Sequence, residues 1–319
     1  MFLGIEIGGT KLQLGVGCGD GTTPVAFERL DVMRSGGGEA IRRGVAVAGR
    51  ALIAQHPVAA VGVGFGGPVD PRTQRTVKSH QIGGWDDFPL GEWCRHTFQL
   101  PAVIVNDADA AGLAEARFGA GRGHRIVFYI TVGSGIGGAL IINAAPYGGS
   151  AGIAAELGHL RPGPQADRPQ QTVESRSSGW AVAEAAKARI VECNKLKAGD
   201  PSADELLELC GGQIDGVTTQ QIGRAAAAGN RIALDVIGRG AESLGWAVAQ
   251  MITLLAPDVV VIGGGVALLG EQLFFSPLRE QVERYVFPPL AQSYRIVPAA
   301  LGEAVVVHGA LALAAQQPA

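Results

Sequence analysis

Apolar stretches broken by glycine clusters recur along this chain. Phe2 to Gly17 is apolar on both sides of Gly8-Gly9-Thr10-Lys11, which predicts two strands joined at a glycine turn. Val58 to Phe65 is a β-branched run ending in Gly66-Gly67-Pro68, a strand meeting a turn. Ala102 to Val105 predicts another short strand, followed by Asn106-Asp107 and a helix of small residues from Ala108 to Phe118. Val127 to Val132 and Ala139 to Ile142 flank Gly133-Ser134-Gly135-Ile136-Gly137-Gly138 and repeat the layout of the first hairpin. Val259 to Ile262 runs into Gly263-Gly264-Gly265, with a helix expected from near Leu268.

Helical spacing marks Glu39 to Gln55, Trp180 to Asn194 and Ala241 to Leu255. The last of these is apolar nearly all round, which predicts a buried helix. Arg161 to Gln171 is rich in Pro, Gln and Asp and reads as a loop. Asn194 to Thr219 reads as a polar connector with a short amphipathic piece at Ala203 to Cys210, and Gly302 to Gln316 as a packed terminal helix. Strands alternating with helices predict an α/β protein, and the repeated strand-and-glycine units suggest two related domains facing one another.

Composition narrows the function classes. At 319 residues and 32.8 kDa the chain is long enough for about two domains at ~150 residues each. A net charge of −3 offers no basic excess for phosphates along a duplex, which disfavours general nucleic-acid binding. The four cysteines stand at least 17 residues apart, so neither a Cys-based zinc site nor a disulfide framework is expected. No apolar run reaches the ~18 residues of a spanning helix, and the N-terminus lacks a basic region and cleavage site. A cytoplasmic enzyme or binding protein fits. Glycine is 48 of 319 residues, about twice the usual ~7%, and is expected to serve tight turns and close backbone approach to a ligand.

Three glycine turns follow apolar strands, and each is either a tight hairpin or a place where backbone N–H groups face an anion. Gly133 to Gly138 resembles a GxGxxG string, but it lies between two strands, so the dinucleotide reading fails its context. Asp107, where a strand ends and a helix begins, is either a helix-terminus carboxylate or a general base for a substrate hydroxyl. Glu156 and His159 are spaced i, i+3 and share a face if that stretch is helical. With Glu174 they suit a polyhydroxyl ligand; the alternative is solvated surface charges and a hydrogen-bonded structural histidine.

In this order the pieces resemble the ROK family of sugar kinases and their relatives over nearly the whole chain. Gly4-Ile5-Glu6-Ile7-Gly8-Gly9-Thr10-Lys11 is similar to the family's first phosphate motif, and Thr131 to Gly138 to its second. Gly66-Gly67-Pro68-Val69-Asp70 resembles PGPVD, and Gly84-Trp85 with Pro89-Leu90 the sugar-side loop. Asn106-Asp107-Ala108-Asp109-Ala110-Ala111 resembles NDANAA, whose aspartate is the catalytic base. Glu156-Leu157-Gly158-His159 matches the sugar-binding ExGH, and Gly263-Gly264-Gly265 the turn near adenosine.

The resemblance implies an actin-like ATPase (ribonuclease H-like) α/β fold of two related domains with an interdomain cleft. The expected domains are 1–115, with the helix over 302–319 packing back on it, and a larger 116–301. It implies an ATP-dependent sugar kinase acting on a hexose or N-acetylhexosamine, with Asp107 as base. ATP and phosphate contacts fall to Gly8, Gly9, Thr10, Lys11, Thr131, Gly133, Ser134, Gly135, Gly264 and Gly265. Sugar contacts fall to Gly67, Asn106, Asp107, Glu156, His159 and Glu174, with Mg²⁺ near Glu6. A homodimer without nucleic-acid or membrane partners is expected. A ROK repressor is disfavoured, because the first phosphate motif begins at residue 4. There are departures: Glu6 stands where the family usually has Asp, Ser134 replaces a common threonine, and the cysteine-rich zinc loop is missing between His159 and Glu174. No zinc site is therefore expected. The alternative function is a sugar-binding or regulatory protein of this fold with weak or lost kinase activity.

Overall fold

The structure, a computed structural model, describes residues 1–9, 11–32, 36–77, 82–162, 168, 170–195 and 199–317. Along the chain run β1 (Phe2–Ile7), β2 (Leu12–Gly17), β3 (Ala26–Leu30), α1 (Gly37–Gln55), β4 (Ala60–Phe65) and a small ribbon of β5 (Val69–Asp70) and β6 (Arg75–Thr76). There follow α2 (Leu90–Phe98), β7 (Ala102–Asn106), α3 (Asp107–Phe118), β8 (Ile126–Val132), β9 (Ile136–Ile142) and β10 (Ala145–Pro146). The remainder holds α4 (Glu174–Ser177), α5 (Gly179–Lys195), α6 (Pro201–Glu208), α7 (Thr219–Ala227), α8 (Arg231–Leu255), β11 (Val259–Gly263), α9 (Ser276–Tyr285), β12 (Arg295–Pro298) and α10 (Val305–Ala314).

Two five-stranded sheets share one topology. The first has the order β3-β2-β1-β4-β7 and the second β10-β9-β8-β11-β12. Each begins with a three-strand meander and adds two later strands on the far side of its first strand. In the first sheet β1 runs antiparallel to β2 and parallel to β4. The expected repetition is therefore a repetition of whole sheets. The chain divides into two compact units, one of residues 1–129, 139–155 and 299–319, the other of 130–138 and 156–298. The bounds differ in detail from those expected, 1–115 with the returning helix 302–319 and 116–301: residues 116–129 and 139–155 also fall in the first unit. β8 and β9 each give residues to both units, and the chain returns to the first unit at residue 299.

Strand pleating explains the first unit. Leu3 and Ile5 of β1, Leu14 and Val16 of β2 and Val61 and Val63 of β4 pair in register and fill one core. The alternate positions on the opposite face are Gly4, Gly15 and Gly62, again in register. A Cβ on Gly4 would stand 2.7 Å from the Val307 carbonyl oxygen, and one on Gly62 would collide with the Ala310 carbonyl. Bare backbone on that face lets α10 lie flat on the sheet, while Gly309 of α10 meets the backbone of Ala110 in α3. Several of the chain's glycines thus serve helix-on-sheet approach, beyond the turns and ligand contacts expected of them. Gly62→Ala should cost at least about 1–3 kcal/mol, the usual range for overpacking, in urea unfolding. An unchanged transition would show that α10 does not press on the sheet there.

In the second unit, α8 packs against α5, α7 and α9, and β11 is wholly buried. Two expectations are corrected here. The helix over Ala241 to Leu255 is not buried to its end: Leu254 is 81% exposed, because the last turn runs past the packed face. No α-helix starts near Leu268 either; short 3₁₀ and π turns occupy 267–275 around Gly270, whose φ is +82°, and α9 begins at Ser276 with Pro277 in its first turn.

Candidate active site

Asp107 opens α3, where the backbone leaves β7. Asn106 caps that helix: its Oδ1 accepts from Ala108 N at 2.9 Å, and its Nδ2 donates to the Gly67 carbonyl at 3.0 Å. One side chain thus ties the Gly66-Gly67 turn to the start of α3. Asp107 Oδ1 also accepts from Ala108 N, at 2.8 Å. Its other oxygen faces the glycine turns. A Cβ on Gly66 would stand 3.4 Å from Asp107 Oδ2 and 3.2 Å from Gly8 Cα. Gly66 N donates to Ile7 O and Gly8 N to Lys11 O, both at 2.8 Å, which fixes these turns beside one another. Thr10 lies outside the described residues.

Glu6, one turn away, is only 7% exposed. Burial pushes its carboxyl up to about 7; Lys11 and Arg29 oppose the rise, while Asp107 and Glu303 add to it. Two carboxylates that repel one another beside a glycine turn form an all-oxygen donor set, the chemistry that suits Mg²⁺. A cation there relieves both the desolvation and the repulsion, so the residues fit the group.

In the second unit, the β8–β9 hairpin closes with Gly133 N donating to Gly135 O at 2.9 Å, and Gly179 N donates to Gly133 O at 2.7 Å. Ile136 N donates to Glu174 Oε2 at 2.7 Å, so Glu174 buttresses the hairpin. Glu156 and His159 bracket a 3₁₀ turn (Leu157–His159), in which side chains three apart eclipse. Burial raises the Glu156 carboxyl above its ordinary range, with His159 opposing and Glu174 adding. Glu156 is therefore within electrostatic reach of both His159 and Glu174. Gly264 follows β11 with φ of +91° and lies against the Val132 backbone, which places that turn beside the end of β8.

The Gly84-Trp85 loop is held from within. Trp85 is buried, edge-on to Phe65 and Phe88, and Arg42 stacks over Phe88 at 4.1 Å while donating to the Gly84 carbonyl at 2.9 Å. Of the loop between His159 and Glu174, residues 163–167 and 169, including Asp167, lie outside the described residues. Among the described residues no three or more His, Cys, Asp or Glu side chains gather as a metal group. Nor is any described helix long and apolar enough to cross a membrane.

The sequence profile of the ROK family matches residues 2–317. The chain belongs to the ROK family. Its curated relatives include the glucokinase of Streptomyces coelicolor, 33% identical over 98% of this chain and 97% of that protein. The glucokinase of Thermotoga maritima is 30% identical over 98% and 96%. Among solved structures, a ROK family glucokinase from Streptomyces griseus in complex with glucose and AMPPNP aligns with a TM-score of 0.85, at 31% identity over 99% of both chains. The fold is the actin-like ATPase fold of ROK sugar kinases.

Against the ROK pattern, three side chains around Glu6 were not foreseen. Gln13, Arg29 and Glu303 all bear on its carboxylate. Gln13 left a signal: it is a polar residue in an otherwise apolar strand, opposite Glu6 across a four-residue hairpin connection. Arg29 left little, because β3 was not expected, and Glu303 reaches the site only through the chain's return at residue 299.

Proposed function

We propose that this ATP-dependent sugar kinase transfers the γ-phosphoryl group of ATP to a hydroxyl of a hexose or N-acetylhexosamine. Asp107 carries the reading: its carboxylate sits at a helix N-terminus, one oxygen held by Ala108 N and the other turned to two glycine turns. There it accepts the proton of the attacking sugar hydroxyl. Asn106 orients the base through its cap and its bond to Gly67.

Glu156, His159 and Glu174 offer the several acceptors that a polyhydroxyl ligand needs, with Glu174 also fixing the hairpin. Gly133 and Gly265 support the phosphate and nucleotide roles. A Cβ on either would meet nothing within 4 Å, and neither has positive φ, so packing does not require glycine there and the space beside the backbone is open to a ligand. Mg²⁺, when bound, neutralises charge on the transferring phosphoryl oxygens. Glu6 is the side chain that would hold it, with Lys11 balancing the local charge.

A sugar-binding or regulatory protein with weak kinase activity is the second reading. The buried Glu6, whose carboxyl is close to half-protonated at neutral pH, favours it. A panel of hexoses and N-acetylhexosamines, assayed for sugar-dependent ADP formation, separates the two. Robust turnover with one of them is expected; sugar binding without ADP release overturns the kinase reading.

A further inference from the structure

The strand register lines Glu6 up with two polar residues that lie outside every motif. Glu6 of β1 pairs with Gln13 of β2, and Gln13 pairs with Arg29 of β3. Cross-strand partners share a face, so the three side chains form one row. Gln13 is fully buried, an unusual place for an amide and one that demands complete hydrogen bonding.

Its neighbours leave that amide one orientation. A guanidinium only donates, so the amide oxygen must face Arg29, accepting from Nε at 3.2 Å and Nη2 at 3.0 Å. The NH₂ group then donates to Glu6 Oε2 at 2.9 Å and to the Glu303 carbonyl at 3.2 Å. Arg29 is fixed in turn by an ion pair with the Glu303 carboxylate. That pair is more than half exposed, so it contributes little stability of its own. Its consequence is geometric, because it holds the donor that sets the amide.

We propose that Gln13 and Arg29 are positioning residues for the Glu6 carboxylate, Arg29 fixing the buried Gln13 amide so that its N–H is always presented to Glu6. The proposal rests on the kinase reading only in what Glu6 then does. With Oε2 held by Gln13, the rest of the carboxylate keeps one direction for a hydrated divalent cation. Partners behind a ligand of this kind change metal affinity by about 10- to 100-fold.

Two measurements test it. Protein labelled with ¹⁵N-glutamine should show the Gln13 side-chain amide as a slowly exchanging pair. Arg29→Met should shift it and speed its exchange, and Arg29→Lys, which keeps a donor-only cation, should restore it. An amide unmoved in Arg29→Met overturns the proposal. In the second measurement, Mn²⁺ binding in the presence of ADP is followed by electron paramagnetic resonance, without turnover. Arg29→Met and Gln13→Ala should each weaken it about 10-fold or more in protein that circular dichroism shows to be folded at the assay temperature. Arg29→Lys should recover most of the loss, and the double variant should bind no more weakly than Gln13→Ala, since Arg29 acts through the amide. Equal Mn²⁺ affinity in wild type and Arg29→Met, or fully additive losses, overturns the relay. Wild-type protein that binds no Mn²⁺ with ADP overturns the kinase reading and the role of the relay in it, whatever the amide spectrum shows.

Discussion

Asp107→Asn is expected to lose about 10²–10⁴ in kcat with the sugar KM nearly unchanged, the span of a lost general base. That is roughly 2.7–5.5 kcal/mol on the barrier. The change keeps the shape: the amide oxygen still accepts from Ala108 N, and Asn106 still caps α3 and grips Gly67. The competing account is that Asp107 merely complements the helix terminus. Removing a first-turn charge then costs about 0.3–1 kcal/mol of stability, and Asp109 remains in the same turn. The two accounts differ by orders of magnitude in different observables. Steady-state kinetics beside thermal melting decides: near wild-type turnover with a small drop in melting temperature reduces Asp107 to a helix-terminus residue.

The fold was legible where one physical signal dominated. Apolar strands broken by glycine, and the small apolar tail, marked β1, β2, β4, β8, β9, β11 and α10 because burial selects their composition. What escaped was short or read with the wrong partner. β3, Ala-Phe-Glu-Arg-Leu, is only five residues long, shows no alternation of apolar and polar positions and has no fully buried residue, so it reads as polar chain, and Arg29 went with it. The glycines of β1, β2 and β4 alternate with apolar residues, and strand pleating puts them together on one face. Only α10, nearly 250 residues further along the chain than β4, shows why that face is bare.

The candidate site divides in the same way. Asn106, Asp107, Glu156 and His159 lie in contiguous segments, and local structure alone brings each pair together. The hairpin contact of Glu174 is different. It joins residues 38 apart, and no spacing rule announces a carboxylate accepting from Ile136 N. Glu6 was legible as a departure from a familiar aspartate, but the side chains that answer its extra methylene were not, because they depend on the register of three strands.

Glu6→Gln should exchange activity for stability. Glu6 has its carboxyl raised to about 7 by burial, against 4.5 for an unperturbed glutamate; Lys11 and Arg29 face it as cations, Asp107 and Glu303 as like charges. The folded state therefore binds the proton more tightly than the unfolded chain between these two values. Stability from this group is fully present below about pH 4.5, falls as pH rises, and is lost above about 7. The shift corresponds to roughly 3 kcal/mol of destabilisation at pH 8. A neutral amide of the same shape still accepts from Gln13 and escapes that cost. Urea unfolding should show Glu6→Gln more stable than wild type at pH 8 by up to this amount, with the gap closing near pH 5. Mn²⁺ affinity with ADP and turnover should both fall, since an amide cannot balance a divalent cation. On the proposed reading the buried carboxylate would be kept for a cation and against the stability of the empty fold, a trade expected at a functional site. Equal stability at pH 8 would mean that the carboxylate is solvated and carries no such cost. A gap that persists unchanged at pH 5 would mean that it arises from packing rather than charge.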